Sequence, residues 1–310
     1  AGGTGQLNIS GNSAVHASRV EVGAGGAVNV GAGGTLNVSS LGSLNAAPVI
    51  DSSVYVARQA GSTGTLVLGS TTTPGATLQA GFVGIGVNGM AVNGVQSNGG
   101  AGSLVLNNST LNTTHFELGA GSTLSGDGGV INAGAGGPVI IGGTISPGNS
   151  PGRIRINCDF TMLLGSQLIL EIDDNGVNVD LDQLIIGEES NFDIKQAQII
   201  FSFLGNTNPE AVDLNLNRFL RAGVTDSEDT RALQTLFGAG EDWNDVVDTA
   251  KFGFRSNAYD VTHFAFNAET GRIGDLQATS KVPEPATYAL ILLALGLMAR
   301  QQRRSAARRG

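Results

Sequence analysis

The chain has 310 residues, of which 47 are glycine, 5% aromatic and 14% charged; this excludes a compact core of large side chains, and without a G-X-Y period it is not collagen. A 41% apolar content rich in Val, Ile and Leu excludes a disordered chain. The net charge is −9, and with five arginines in the last eleven residues, residues 1–281 hold 12 basic and 25 acidic groups, so no nucleic-acid partner is expected.

The chain opens Ala1-Gly2-Gly3-Thr4, with neither Met nor a basic-plus-apolar leader. It enters a repeat at once, so the expectation is a piece that begins inside a longer repeat array. Residues 1–152 contain 35 of the 47 glycines but only 6 charged residues. Short in-out-in alternations recur at 7–9, 20–22, 28–30, 36–38, 54–56, 66–68 and 104–106. Each reads as a brief strand between small-residue turns.

Strands so short bury little alone, but stacked in a coil each adds one inward row to a continuous core. The predicted unit is a parallel β-helix over residues 1–200 with rungs of about 18–25 residues. Val28 and Leu36 should point inward. A calcium-binding nonapeptide roll is disfavoured, since residues 1–152 contain only Asp51 and Asp127 as aspartates. The Asn-x-Ser/Thr triplets at Asn8, Asn37, Asn107, Asn108 and Asn112 are expected by chance in this composition and carry no glycosylation reading.

After residue 152 glycine thins and charge rises. Longer strands are predicted at 153–156, 167–172, 183–186 and 198–204. Residues 201–281 read as a cap over the last rung, because an open edge recruits other chains. Short helices are expected over 226–237 and 241–251, with Leu233, Leu236, Phe237, Trp243, Val246 and Val247 as their apolar faces. Phe252, Phe254, Tyr259, Phe264 and Phe266 then close the core; an aromatic sugar platform is the sharper alternative. The single cysteine, Cys158, excludes an internal disulfide and a zinc cluster.

Glu171, Asp173, Asp174, Asn178, Asp180 and Asp182 crowd one short stretch. Alternating oxygen ligands can hold calcium, which makes Asp173, Asp174, Asp180 and Asp182 a weak metal candidate. A solvated turn between two strands is the plainer reading. No other cofactor is expected. His16, His115 and His263 form no ligand-spaced pair. There is no nucleophile elbow, phosphate loop or dinucleotide fingerprint, so no enzyme activity is expected.

The run Gly142-Gly143-Thr144-Ile145-Ser146-Pro147-Gly148-Asn149-Ser150-Pro151-Gly152 leads into Arg153–Ile156. Gly165-Ser166-Gln167-Leu168, Glu171-Ile172 and Asp182-Gln183-Leu184 follow. This stretch of about 45 residues resembles the corresponding segment of autotransporter-type β-helical passengers. Asn157-Cys158 departs from that pattern, which usually has a glycine there, and nothing downstream resembles a translocator barrel. Physically, Pro147 and Pro151 fix a corner around Gly148 and Gly152.

The tail, 282–310, starts Val282-Pro283-Glu284-Pro285. An uncharged run follows over 286–299, and then come Arg300, Arg303 and Arg304. Fourteen helical residues span about 21 Å, less than the ~30 Å hydrocarbon core. Composition alone suggests a weak transmembrane anchor with its basic end cytoplasmic.

The order of the parts closely resembles the PEP-CTERM sorting signal of Gram-negative bacteria. That resemblance implies export and processing near Pro283–Pro285 by an exosortase-type membrane protease. It implies an inner-membrane intermediate through residues 286–299 and a final place at the cell surface or outside the cell. It also suggests exopolysaccharide as a partner.

The whole chain therefore reads as all-β: a parallel β-helix (solenoid), a small mixed C-terminal cap and a short C-terminal transmembrane helix. The expected role is structural or adhesive. A polysaccharide-binding or polysaccharide-cleaving β-helix enzyme is the alternative, although residues 1–152 offer only four carboxylates, Glu21, Asp51, Glu117 and Asp127. An ice- or surface-binding module would need regular Thr or Asn ladders, which the drifting spacing after residue 44 disfavours.

Overall fold

The computed structural model describes residues 5–275 apart from 24, 39–51, 92–94, 135–136, 149–150, 177, 213, 224–229, 238–240 and 248–249. All seven short alternations predicted in the first half lie within strands. The chain visits three sheets in turn, and each sheet takes every third strand over most of its length. The first sheet begins with Gln6–Ile9, Gly26–Val30, Thr63–Gly69 and Ala101–Asn107. The second stacks strands from Ala14–Ala17 to Leu220–Gly223, and the third from Arg19–Val22 to Phe192–Asp193. Stacked parallel strands in this order are consistent with a β-helix.

Register explains the core. In the first sheet Val28, Leu66, Leu104, Leu124, Ile145 and Leu168 lie directly above one another. Leu36, Leu78, Leu111, Ile131 and Ile156 do the same in the second. Val54, Val83, Phe116, Val139 and Phe160 do so in the third. All of these are buried, Val28 and Leu36 among them. Because side chains alternate along a strand, every second residue joins one of these columns and its neighbours face out.

The outward columns form ladders. Asn37, Gln79, Asn112 and Asn132 are in register on the second sheet. Asn132 donates to Asn112 at 2.9 Å, and Asn157 donates to Asn132 at 3.0 Å. Thr65, Ser103, Thr123 and Thr144 align on the first sheet. The drifting sequence spacing thus does not break the ladders, because the extra residues lie between strands.

Parallel stacking continues past residue 200, since Lys251–Ser256 pairs parallel with Gln198–Phe203. Beside it stands a three-stranded antiparallel sheet of Leu214–Asn215, Ala265–Asn267 and Arg272–Gly274. Aromatic rings fill this end: Phe252 stacks on Phe266 at 4.1 Å, and Phe201 on Phe254 at 5.7 Å. Tyr259, expected among them, is 41% exposed.

The helix expected over 226–237 is not formed across its described part. Thr230–Ala232 is a strand pairing antiparallel with Leu220–Gly223, and Leu233–Leu236 is a 3-10 turn. The open edge of the second sheet competes for those residues. Of the helix expected over 241–251, Trp243–Val247 is helical among the described residues, and Lys251 already opens a strand. Its apolar face is as expected: Trp243 is fully buried against Phe237.

Cys158 is free and buried in the core, where burial pushes its thiol up to about 11. Among the described residues no helix is long and apolar enough to cross a membrane. The run 286–299, Val282, Pro283, Glu284, Pro285 and Arg300, Arg303 and Arg304 lie outside the described residues.

Candidate functional site

The Pro-Gly-rich corner joins Thr144–Pro147 of the first sheet to Arg153–Ile156 of the second. Gly152 is closely packed there, since a Cβ on it would stand 2.8 Å from the Gly148 Cα. Asp182, thirty residues on, is fully buried beneath the corner. One of its carboxylate oxygens accepts the Gly152 N–H at 2.8 Å, and the other accepts the Glu171 N–H at 2.8 Å. The Asp182 N–H donates to the Glu171 carbonyl, and the Gln183 N–H donates to the Gly152 carbonyl. Separate parts of the stretch 142–187 therefore meet at one carboxylate. Burial pushes that carboxyl up to about 7, outweighing the two N–H donors that pull the other way; Glu171 and Asp127 add repulsion.

The four aspartates proposed for calcium do not assemble. Asp173 and Asp180 face each other across the antiparallel pair formed by Val179–Leu181. Asp174 turns one oxygen to the Gly176 N–H. Asp182 is engaged beneath the corner. Among the described residues no group of three or more His, Cys, Asp or Glu side chains is placed to hold a metal ion. Glu171 and Asp173 do share the outward face of one strand, as the alternation predicts.

The outer face of the third sheet gathers charges that the sequence scatters. Glu21, Tyr55, Gly84 and Glu117 form one outward column. Arg19 and Arg58 both bond toward Glu21, and both lie over the Tyr55 ring, at 5.1 and 4.5 Å from its centre. Tyr55, Phe82 and Val87 make a small apolar cluster outside the coil. Gly84 makes room for it, since a Cβ there would lie 2.7 Å from Val87 and from the Phe82 ring.

Glu117 is completely buried on this outer face. Its Oε1 accepts the Ala91 N–H at 2.5 Å and stands 2.8 Å from His115 Nε2, while its Oε2 has no partner among the described residues. The pair went unread in the sequence, where the signal was His-x-Glu in one strand: alternation puts both side chains on one face. His263 approaches Glu210 at 3.8 Å, and His16 is exposed.

A polar groove of about 750 Å3 opens beside the Pro-Gly-rich corner. Its walls include Arg153 and Gln183, which are register partners, and the Val179–Leu181 strand. Arg218 and Arg221 enter from the next rung, and Asn108, Asp127 and Asp180 complete the polar lining. The Arg221 guanidinium is held by the Asn217 carbonyl and by the Thr230 carbonyl and hydroxyl. Burial lowers its pKa from the usual arginine range.

Comparison with known proteins bears on the tail. Residues 281–309 carry a PEP-CTERM protein-sorting motif. The PEP-CTERM motif implies an exported protein that undergoes membrane-associated sorting and is processed by exosortase, a membrane protease. No similar curated protein and no similar solved structure was found.

Proposed function

We propose that this chain is a non-enzymatic structural or adhesive solenoid of the cell surface or extracellular matrix. Its body is a parallel β-helix closed by the aromatic end at 201–281. Its tail crosses the inner membrane through residues 286–299 during sorting, and its partner outside is an exopolysaccharide. The observation that carries the reading is the PEP-CTERM motif at 281–309, placed C-terminal to a long stack of parallel strands. A stack of this kind offers extended repetitive faces, and such surfaces suit binding to long partners.

Within this reading the tail sequence has a division of labour. Prolines lack the N–H that a helix needs and restrict the residue before them, so the sequence at 282–285 favours the kind of backbone a protease can grip. Arg300, Arg303 and Arg304 resist transfer, at about 2.5–3.5 kcal/mol each near a bilayer centre. They fix the register of the apolar run.

Intact-mass spectrometry of the protein from native envelope and medium tests the reading. A surface or released form that has lost residues 286–310 is expected. A mature form that keeps them defeats processing and favours a permanent anchor. Incubation with a polysaccharide panel tests the non-enzymatic part: reproducible cleavage, lost in a Glu171→Ala or Asp173→Ala variant, would overturn it.

A further inference from the structure

We propose that the groove beside the Pro-Gly-rich corner binds a carboxylate-bearing oligosaccharide, with Arg153 and Arg221 receiving the acid groups. The source is an acidic polysaccharide, so the proposal deepens the matrix reading above and rests on it for where the polymer comes from.

The chain is acidic, yet four of the nine arginines among the described residues, Arg153, Arg155, Arg218 and Arg221, lie on these neighbouring rungs. Arg155 and Arg221 lie on the outward face of the second sheet with Ile185 between them in register. Arg153 and Arg218 line the groove with Arg221. No carboxylate among the described residues stands within 4.0 Å of the side-chain nitrogens of Arg153 or Arg221.

Arg221 is fixed by three bonds to neutral oxygens, which orient a guanidinium without cancelling its charge. A planar cation held in this way is pre-organised for a carboxylate. Arg153 has no hydrogen-bond partner for its side chain among the described residues. Its backbone N–H bonds Asp127, which anchors the strand end that carries it.

The rest of the lining suits sugar hydroxyls. Gln183 offers an amide, Asn108 offers its amide oxygen while its N–H groups are held by the Ser70 and Thr71 carbonyls, and Asp127 and Asp180 offer acceptors. The two carboxylates also disfavour a small, highly charged anion relative to a sugar that spreads its charge. At about 750 Å3 the groove is in the range of small-molecule sites.

The test uses the full-length chain in detergent and titration calorimetry at low salt. The probes are an oligogalacturonate, its methyl ester and inorganic phosphate. The acid is expected to bind about tenfold more tightly than the ester, with affinity falling as salt rises. Arg153→Gln should weaken acid binding about tenfold, while Arg255→Gln on the first sheet leaves it unchanged. Arg221→Lys, which keeps the charge and loses the fork, should weaken it severalfold.

Equal binding of acid and ester, equal behaviour of the Arg153→Gln and Arg255→Gln variants, phosphate competing as strongly as the oligomer, or no binding would each overturn the proposal. A chain that binds but keeps its tail defeats the sorting reading alone. A chain that is processed and does not bind defeats the groove alone.

Discussion

The Asp182 carboxylate accepts the backbone N–H of Gly152 across thirty residues of chain, at 2.8 Å. The same carboxylate takes the Glu171 N–H. One buried side chain thereby joins the corner at 151–153 to a strand of the first sheet.

Removing that acceptor orphans one buried donor and one part-buried donor. Each costs about 1–3 kcal/mol when left unpaired. Asp182→Ala should therefore lose about 3 kcal/mol of stability in urea unfolding, with Asp182→Asn losing less because one oxygen remains. A loss under about 0.5 kcal/mol for the alanine variant contradicts this role.

Asp182 also makes stability depend on pH. Its folded value is near 7, while an unfolded aspartate titrates at about 3.9. Between these values the folded chain holds a proton that the unfolded chain has released. Its contribution is fully present below the unfolded value and is lost as pH rises through the folded one. Unfolding free energies from pH 4 to pH 8 should show this fall, and Asp182→Asn should remove it. An unchanged slope in the variant rules the residue out as its source.

Leu104 sits mid-column between Leu66 and Leu124 and is fully buried. Leu104→Ala should destabilise the coil by about 2–5 kcal/mol, since a cavity adds to the lost burial. Thr65→Ala, on the outward column of the neighbouring strand, should stay within about 0.5 kcal/mol. Equal effects at the two sites would mean that the inward-outward assignment is wrong.

Glu117 fastens the segment around Ala91 onto the third sheet. Glu117→Ala should speed limited proteolysis within 86–100 and leave the far-UV spectrum of the coil unchanged. Digestion at the wild-type rate would show that Tyr55, Phe82 and Val87 hold the segment without it.

In the tail, Glu284→Ala should impair processing if the charge is read directly. Replacing Arg300, Arg303 and Arg304 together with Gln should let the apolar run slip, so that the chain leaves the cell whole. Intact mass of the mature protein reads both outcomes, and wild-type cleavage in the triple variant removes the arginines' role.

The sequence by itself determined what is encoded within a few residues. Alternation placed Val28, Leu36, Leu66 and Leu104 inward, because a strand has a period of two whatever it packs against. The PEP-CTERM tail was equally legible, because its parts follow one another along the chain. Tertiary structure alone decided what lies between rungs. The Asn37–Asn132 column, the Glu21–Glu117 column, the Asp182–Gly152 bond and the arginine groove all join residues separated by segments of unequal length. Insertions such as 86–100 leave the columns aligned, since register is set by hydrogen bonds between stacked strands and not by the count of residues in the turns. The same cause undid the described part of the helix expected at 226–237: an unpaired strand edge at Leu220–Gly223, invisible in the local pattern, was there to take Thr230–Ala232.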